Sequence, residues 1–210
     1  MPPSKKRPRK RYTPLSGRID RHAFPLPLTI GLIADTHIFE GGGSRPLPEP
    51  VLDLFQRFDV DLIVHAGDIV TQSVLDRLAA VAPTLAVHGN KDPLDLWRDL
   101  PERIVITAGD HRIGVVHGHG GPNARFIART AFEEPLALVV YGHSHLPRIE
   151  EELGVVYINP GSATDRRWSA HFGIGILTID QQGVRPELIL FDAPAHLASI
   201  EPQPAPGATE

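Results

Sequence analysis

The stretch LTIGLIADTH, residues 28–37, places a strand-like apolar run directly before two potential metal ligands, Asp35 and His37. Four later stretches repeat this arrangement, with a polar motif directly after an apolar run; they span residues 61–68, 85–92, 112–119 and 136–145. The turn after a strand is where an α/β sheet presents its functional groups. Core packing does not require Asp, Asn or His in five such loops, so convergence on a metal site is the simplest interpretation.

The composition predicts one globular domain without cysteine chemistry. With 210 residues, 41% of them hydrophobic, the chain is long enough for one well-filled core. It has no cysteine, which excludes disulfide scaffolds, thiolate zinc sites and cysteine nucleophiles, so any metal is held by nitrogen and oxygen. We see no signal peptide and no apolar run of about 18 residues, and we therefore expect a cytoplasmic protein without a membrane partner.

The charge of the chain is unevenly distributed. Residues 1–27 carry a net charge of +7, whereas the whole chain carries −4 and the rest of the chain therefore −11. We expect residues 1–27 to form a disordered basic tail, residues 28–192 the folded domain, and residues 193–210 a disordered Ala/Pro-rich tail. A body this acidic does not resemble a general nucleic-acid binder, so nucleic acid is a possible but not a favoured partner.

The order of apolar segments indicates two sheets. Strand and helix patterns alternate from residue 28 to residue 88, which predicts parallel neighbouring strands in one sheet. From residue 103 onward the segments are strand-like, apart from a helix near residues 123–132. This change predicts a second, more antiparallel sheet that packs on the first.

Each polar motif has an ordinary structural alternative when it is considered alone. Asp35 and His37 are two residues apart, so on an extended segment both side chains point to one side and can bind one cation, but a helix-capping Asp beside a surface His has the same pattern. Asp68 follows Gly67, which permits a sharp turn, yet Asp68 also suits a helix N-cap. Asn90 suits a plain Gly-Asn turn.

Taken together, the motifs contain too many ligands for one tetrahedral ion and about enough for two ions that share a carboxylate. The seven candidate metal ligands are Asp35, His37, Asp68, Asn90, His117, His143 and His145. Carboxylate and imidazole ligands without thiolate suit Mn²⁺, Fe²⁺, Zn²⁺ or Ni²⁺, and we expect two divalent ions, Mn²⁺ first among them. Two ions about 3.5–4 Å apart can clamp a phosphoryl group and generate hydroxide at neutral pH.

In this order, the motifs D-x-H, G-D, G-N-x-D, H-G and G-H-x-H resemble those of the calcineurin-like metallophosphoesterases. The resemblance extends from about Thr29 to Asp180. The N-P-G-S segment at residues 159–162 resembles the corresponding turn of the small bacterial and archaeal phosphodiesterase branch. The resemblance implies an α/β fold, a four-layer α/β/β/α sandwich of two mixed sheets flanked by helices, with the site at one edge.

The resemblance also implies a mechanism in which a hydroxide bridging two metal ions attacks phosphorus in line with the leaving oxygen. One metal position would take Asp35, His37, Asp68 and His145. The other would take Asp68, Asn90, His117 and His143, with Asp68 as the bridge. The chain would then be a dinuclear phosphoesterase that acts on a small phosphate ester, more readily on diesters than on monoesters.

Two further residues are candidates for catalysis beside Asp68 and Asn90. Many family members have His after the motif Asn, where this chain has Lys91. A lysine does not relay protons near neutral pH unless its pKa is strongly lowered, so we expect weak leaving-group assistance and a preference for activated aryl esters. A merely solvated Lys91 is the alternative. His119 lies two residues after His117 and is either a phosphate donor or a cap of the glycine-rich turn.

Two other functions remain open at this stage. The retromer subunit that has this fold works mainly as an interaction scaffold, but it differs at some ligand positions, whereas this chain keeps all seven. A nuclease would use the basic tail to hold nucleic acid, which the acidic body does not favour. The sequence also leaves a homo-oligomer possible, and it suggests that the glycine run at residues 41–43 moves over the site.

Overall fold

Two β-sheets lie face to face in a computed structural model that describes residues 17–39 and 46–202. The strands of this part are β1 (Ile19–Phe24), β2 (Leu28–Ile33), β3 (Leu62–His65), β4 (Thr84–Ala86), β5 (Arg103–Ala108), β6 (His111–Val116), β7 (Leu138–Tyr141), β8 (Arg148–Glu152), β9 (Val155–Asn159), β10 (Phe172–Asp180) and β11 (Gly183–Phe191). The helices are α1 (Glu49–Arg57), α2 (Gln72–Ala79), α3 (Leu94–Asp99) and α4 (Ala124–Thr130), followed by a 3₁₀ helix (Pro194–Ser199).

The first sheet has the strand order β11-β10-β2-β3-β4. As predicted, β2, β3 and β4 are parallel neighbours. Side chains alternate between the two faces of β2: Ile30 and Leu32 face the second sheet, whereas Ile33 belongs to a core shared with helices α1 and α2. Because both faces of these strands are covered, their sequences are continuous apolar runs.

The second sheet is mixed, with the strand order β1-β5-β6-β7-β9-β8. Alternation in β7 sends Leu138 and Val140 into the core between the sheets, and Val139 and Tyr141 toward helix α4 on the outer face. Three apolar cores therefore separate four layers, which confirms the predicted α/β/β/α sandwich of two mixed sheets.

The last two strands contradict the predicted division of the sheets. The sequence placed β10 and β11 in the second sheet, but β10 pairs antiparallel with β2 and so extends the first sheet, with β11 at its edge. Strand periodicity records which residues share a face, and it does not record which neighbour a strand pairs with. The short α3, which carries a single buried residue (Leu96), was also not predicted.

Parts of both predicted tails are ordered in the structure. Part of the expected basic tail forms β1, which runs parallel to β5, and Arg21 of this strand pairs with Glu134. An edge strand needs few apolar residues, so the charged composition concealed it. Part of the expected C-terminal tail forms the 3₁₀ helix, with Leu197 fully buried in the first core. Residues 1–16, 203–210 and the glycine run at 41–43 lie outside the described residues.

The 3₁₀ helix is held to α1 by one arginine. Arg57 donates from Nη2 to the Leu197 carbonyl at 2.6 Å, and from Nη1 to the Ile200 carbonyl at 2.6 Å. Within the described ranges, no helix combines the length and apolar character that a membrane crossing needs.

We expect Arg57→Ala to lower the free energy of unfolding by about 1–3 kcal/mol, because hydrogen bonds from a charged donor to partly buried carbonyls are lost. Urea denaturation measures this change, and limited proteolysis should detect new cleavage near residues 193–202. The matched control is Arg98→Ala. Arg98 is exposed, and its ion pair in the described part of the chain is with its exposed neighbour Asp99. Equal destabilisation by the two variants would contradict the assigned role of Arg57.

Candidate metal centre

The five polar motifs lie at the carboxyl ends of strands β2, β3, β4, β6 and β7. Backbone hydrogen bonds join these loops to one another. The Asp35 amide donates to the Gly67 carbonyl at 3.0 Å, and the His37 amide donates to the Asp68 carbonyl at 3.1 Å. In the second sheet, the Gly142 amide donates to the His117 carbonyl at 3.0 Å. The site is therefore built where the same edges of the two sheets meet.

The first ligand group consists of Asp35, His37 and His145, all of them buried. The Nε2 atoms of His37 and His145 are 3.2 Å apart. His145 Nε2 lies 3.7 Å from Asp35 Oδ1. Three ligand atoms from two loops thus converge on one point, which is the arrangement that a metal ion requires.

The second ligand group consists of Asp68, His117 and His143. Asp68 Oδ2 is 3.3 Å from His117 Nε2 and also 3.3 Å from His37 Nε2 in the first group. A single carboxylate oxygen therefore contacts both groups. The structure brings together six of the seven predicted ligands, and it places Asp68 between the two groups, as expected for a bridging residue.

The hydrogen bonds of two histidines leave their Nε2 lone pairs available. His117 Nδ1 is 2.8 Å from the Ala66 carbonyl, and His145 Nδ1 contacts the Asp165 carbonyl. A carbonyl only accepts, so in both rings Nδ1 carries the hydrogen. Nε2 of each neutral ring can then bind a metal, and the backbone carbonyl fixes the ring orientation.

The electrostatics of the two groups fit divalent cations. Burial raises the pKa of Asp35 to about 7 and lowers the pKa of His37 to about 4. For Asp68, burial opposes ionisation, but the neighbouring His117 and the hydrogen bond from the Lys91 amide outweigh it and hold the pKa below its usual range. Asp35 Oδ2 and His117 Nε2 are buried without a hydrogen-bond partner in the described part of the chain. A cation would satisfy both atoms and offset the buried negative charge.

Five of the six residues in these groups have a left-handed backbone, which is uncommon for residues other than glycine. Their φ angles are 53° (Asp35), 46° (His37), 58° (Asp68), 68° (His143) and 57° (His145). Each such residue costs about 1–3 kcal/mol, and residues of this kind concentrate at functional sites. Gly67 has φ of 89°, and a Cβ there would lie 2.7 Å from the His117 ring.

The N-P-G-S segment supports two of the ligand loops. Asn159 donates from Nδ2 to the Gly142 carbonyl at 2.8 Å and to Ser144 Oγ at 3.0 Å. Ser162 donates from Oγ to the Asp35 carbonyl at 2.7 Å. Both side chains are completely buried. This segment therefore positions ligand loops from both sheets and lies outside the ligand groups themselves.

Asp92 is a positioning residue that the sequence analysis did not identify. Its Oδ1 accepts from the amides of Ile69 and Val70 at 2.7 Å, and its Oδ2 accepts from Gly89 at 2.7 Å and from Asp68 at 3.2 Å. One carboxylate thus holds two ligand loops together. Its place in the G-N-x-D motif was the available signal, but the spacing does not show that the partners are backbone amides.

Asn90 and Lys91 lie at the rim of the site. The Lys91 amide donates to Asp68 Oδ1 at 2.8 Å, so this turn is attached to the bridging carboxylate. The side chains of Asn90 and Lys91 are exposed, unlike the six grouped ligands. Their turn is held by its backbone, which leaves both side chains on the solvent side. Metal binding by Asn90 and a catalytic role for Lys91 remain predictions.

His119 lies beside the second group. Its ring centroid is 5.4 Å from that of His117 and 6.5 Å from that of His143, and its Nδ1 is buried without a hydrogen-bond partner within residues 17–39 and 46–202. On the other side of His119, the His88 ring packs against Trp97, with ring centroids 4.0 Å apart and ring planes tilted by 33°. His119 thus borders the second ligand group, and its role as a phosphate donor remains a prediction.

The fold and the site define a metal-binding α/β/β/α protein, and comparison with known proteins specifies the family. Residues 28–182 match the calcineurin-like phosphoesterase superfamily domain, and the chain belongs to this superfamily. A probable metallophosphoesterase of Methanothermobacter thermautotrophicus is 32% identical over 169 residues, which are 80% of this chain and 95% of the relative.

Two solved structures show the same architecture. A structure described as that of a novel archaeal phosphodiesterase has a TM-score of 0.62 at 25% identity, and the match covers 78% of this chain and 100% of that one. Vps29 of Entamoeba histolytica, solved with Zn²⁺, has a TM-score of 0.60 at 23% identity, with 79% and 100% covered. At 23% identity the likeness to Vps29 shows the fold alone.

We expect Asp92→Asn to weaken both folding and metal binding. Each Asp92 oxygen accepts from two backbone N–H groups, and in the variant the NH₂ group of Asn takes the place of one of these oxygens. Two N–H donors then lose their acceptor, so the free energy of unfolding should fall by about 2–4 kcal/mol. Affinity for Mn²⁺ should fall about 10- to 100-fold, because Asp68 loses its support. Urea denaturation and isothermal titration calorimetry measure the two effects. Asp95→Asn, on the exposed first turn of α3, is the control and should change neither quantity.

His65 should make the metal-free protein less stable in acid. It is fully buried, its Nδ1 accepts from the Gly67 amide at 3.2 Å, and burial lowers its pKa to about 3. Between pH 6.5 and 3 only the unfolded chain binds this proton, so the free energy of unfolding falls as the pH falls. In His65→Gln the slope should be shallower by about 1.4 kcal/mol per pH unit. Urea denaturation at several pH values tests this; an unchanged slope would refute it.

Proposed function

We propose that this protein is a dinuclear metal-dependent phosphodiesterase that uses two divalent ions, with Mn²⁺ as the preferred metal. The observation that carries the proposal is the position of Asp68 Oδ2, which is 3.3 Å from a histidine nitrogen of each ligand group. Two separate mononuclear sites would not require a shared carboxylate oxygen. A shared oxygen is the natural ligand of two ions that act on one phosphoryl group.

The ligand residues give the site its reactivity by their placement. Bound divalent ions supply Lewis-acid stabilisation of the phosphoryl charge and a nucleophilic water. Asp68 holds the two ligand groups in fixed relation, because both of its oxygens are engaged: Oδ2 by His37 and His117, and Oδ1 by the Lys91 amide. A rigid arrangement of this kind avoids reorganisation during the reaction.

The rim of the site suits a small diester. All helices and strands of the described residues belong to the two sheets or their flanking layers, so no inserted domain within residues 17–39 and 46–202 covers the ligands. Lys91 replaces a proton-relaying histidine and can supply charge to a phosphate, while His119 can donate a hydrogen bond to it. We infer a preference for esters with good leaving groups, and the similarity to an archaeal phosphodiesterase supports diesters.

An interaction scaffold is the competing function. The likeness to Vps29 structures extends to the fold, so it does not decide between catalysis and scaffolding. The buried carboxylates and strained ligand backbones favour an enzyme, because both are costly in a protein that gains nothing from a bound metal. We propose a small phosphate ester as the partner, with neither nucleic acid nor a second copy of the chain required.

The proposal predicts that metal-stripped protein cleaves bis(p-nitrophenyl) phosphate after addition of Mn²⁺, and cleaves p-nitrophenyl phosphate more slowly. Asp68→Asn and His143→Ala should each lower kcat/KM by about 100-fold or more, because each removes a ligand of the second group. Release of p-nitrophenol measures the rate, with Ni²⁺, Zn²⁺ and Mg²⁺ as parallel additions.

Asp53→Asn and His196→Ala are the matched controls, since both side chains are exposed and lie outside the two ligand groups. Both should keep the activity of the unchanged protein. A folded protein that binds Mn²⁺ but cleaves neither ester with any of the four metals would favour the scaffold instead.

A further inference from the structure

The loop at residues 165–169 touches the first ligand group at two points. The Asp165 carbonyl accepts from His145 Nδ1, and Arg167 Nη2 lies 3.3 Å from His37 Nε2. The loop begins just after the N-P-G-S segment and is closed by a hydrogen bond from the Ser169 amide to the Arg166 carbonyl at 2.8 Å. A segment that the sequence analysis did not consider thus borders the metal ligands.

The two neighbouring arginines of this loop have different surroundings. Arg166 donates from Nη1 to the Ala170 carbonyl at 2.6 Å and lies over the Phe172 ring, away from the ligands. Arg167 reaches His37 instead, and its Nε is 3.4 Å from Asp165 Oδ2. Its φ of 45° is left-handed, as in the ligand residues themselves. The fold therefore holds one guanidinium group at the edge of the site.

A guanidinium group in this position suits a phosphoryl group. It always carries a positive charge and presents five N–H donors in a planar fork that matches two oxygens. It cannot bind a metal, and its charge opposes the binding of a cation to His37. The Arg167 charge therefore does not help to bind the metal. It is favourable when an anionic substrate binds beside the metal ligands.

Three exposed apolar side chains directly follow, or lie close in sequence to, residues of this edge. Trp168, the next residue after Arg167, is 96% exposed. Phe39 is 54% exposed and follows His37 by two residues, while Leu146 is 47% exposed and follows His145 directly. The turn beside the second group carries the polar Asn90 and Lys91 instead. The two edges of the site thus differ in chemistry, and an exposed indole on the residue after an arginine that borders the metal ligands suits a ligand with both an aromatic and an anionic part.

We propose that Arg167 binds a non-bridging phosphoryl oxygen and that Trp168 packs against a planar aromatic group esterified to the same phosphate. This inference rests on the proposed function and narrows it, because it names the substrate class as phosphodiesters with an aryl or nucleoside group. Trp168 then sets specificity, and Arg167 contributes to affinity for any substrate of the site.

The test compares two ligands that cannot be hydrolysed, phenylphosphonate and methylphosphonate, by calorimetry on the Mn²⁺-loaded protein. We expect phenylphosphonate to bind about tenfold more tightly, since stacking on an aromatic side chain is worth this much or more. Trp168→Ala should abolish the difference between the ligands. Leu153→Ala, which removes a 94% exposed side chain from the turn between β8 and β9, is the matched control and should preserve it.

Arg167 is tested with Arg167→Met, and Arg98→Met is its exposed control. Arg167→Met should weaken the binding of both phosphonates by about tenfold and should leave their ratio unchanged. It should also raise the affinity for Mn²⁺, because a positive charge is removed from the neighbourhood of His37. If Arg167 had only a structural role, its replacement would weaken the binding of both metal and phosphonate. Weaker phosphonate binding together with tighter Mn²⁺ binding therefore identifies an anion-binding role.

Equal affinity for the two phosphonates, or a preference that survives Trp168→Ala, would overturn the inference. AMP serves as a third ligand: Trp168-dependent binding of AMP supports a nucleoside ester, whereas selectivity for phenylphosphonate alone supports a smaller aryl ester. Phosphonate binding needs no turnover, so the two proposals can fail separately. A protein that selects phenylphosphonate but hydrolyses no ester would refute the proposed activity while retaining the binding site.

Discussion

One carboxylate oxygen links the two halves of this protein. Asp68 Oδ2 lies 3.3 Å from His37 Nε2, on a loop of the first sheet, and 3.3 Å from His117 Nε2, on a loop of the second. The apolar core between the sheets sets their separation, and Asp92 keeps the Asp68 loop in place by accepting from four backbone amides. The metal centre therefore depends on the correct packing of the whole sandwich.

The site is assembled at a cost that the rest of the fold must offset. Five ligand residues have left-handed backbones, and Asp35 is completely buried with one oxygen unpartnered in the described region. Burial of apolar side chains in three cores stabilises the sandwich, and the hydrogen bonds of Asn159 and Ser162 hold the strained loops. A bound cation would compensate the buried negative charge. Metal binding would therefore raise the free energy of unfolding of the folded protein.

Much of the fold and of the site could be predicted because both follow from local patterns. Continuous apolar runs identified β2 and β3, and the polar motifs after the strands identified six residues that the structure groups together. The predictions failed where strand pairing decides. The charged segment at residues 19–24 is an edge strand, and β10 pairs with β2 instead of joining the second sheet. Strand pairing depends on neighbours that are distant in the sequence.

The sequence by itself determined the kinds of ligand and the loops that carry them, because strand periodicity and glycine-containing turns act over a few residues. Only the tertiary structure decided which atoms meet. Asp68 and Asp92 are 24 residues apart, and Arg167 reaches His37 across 130 residues. Such contacts exist because two sheets bury their apolar faces against each other, and this packing places distant loops at one edge.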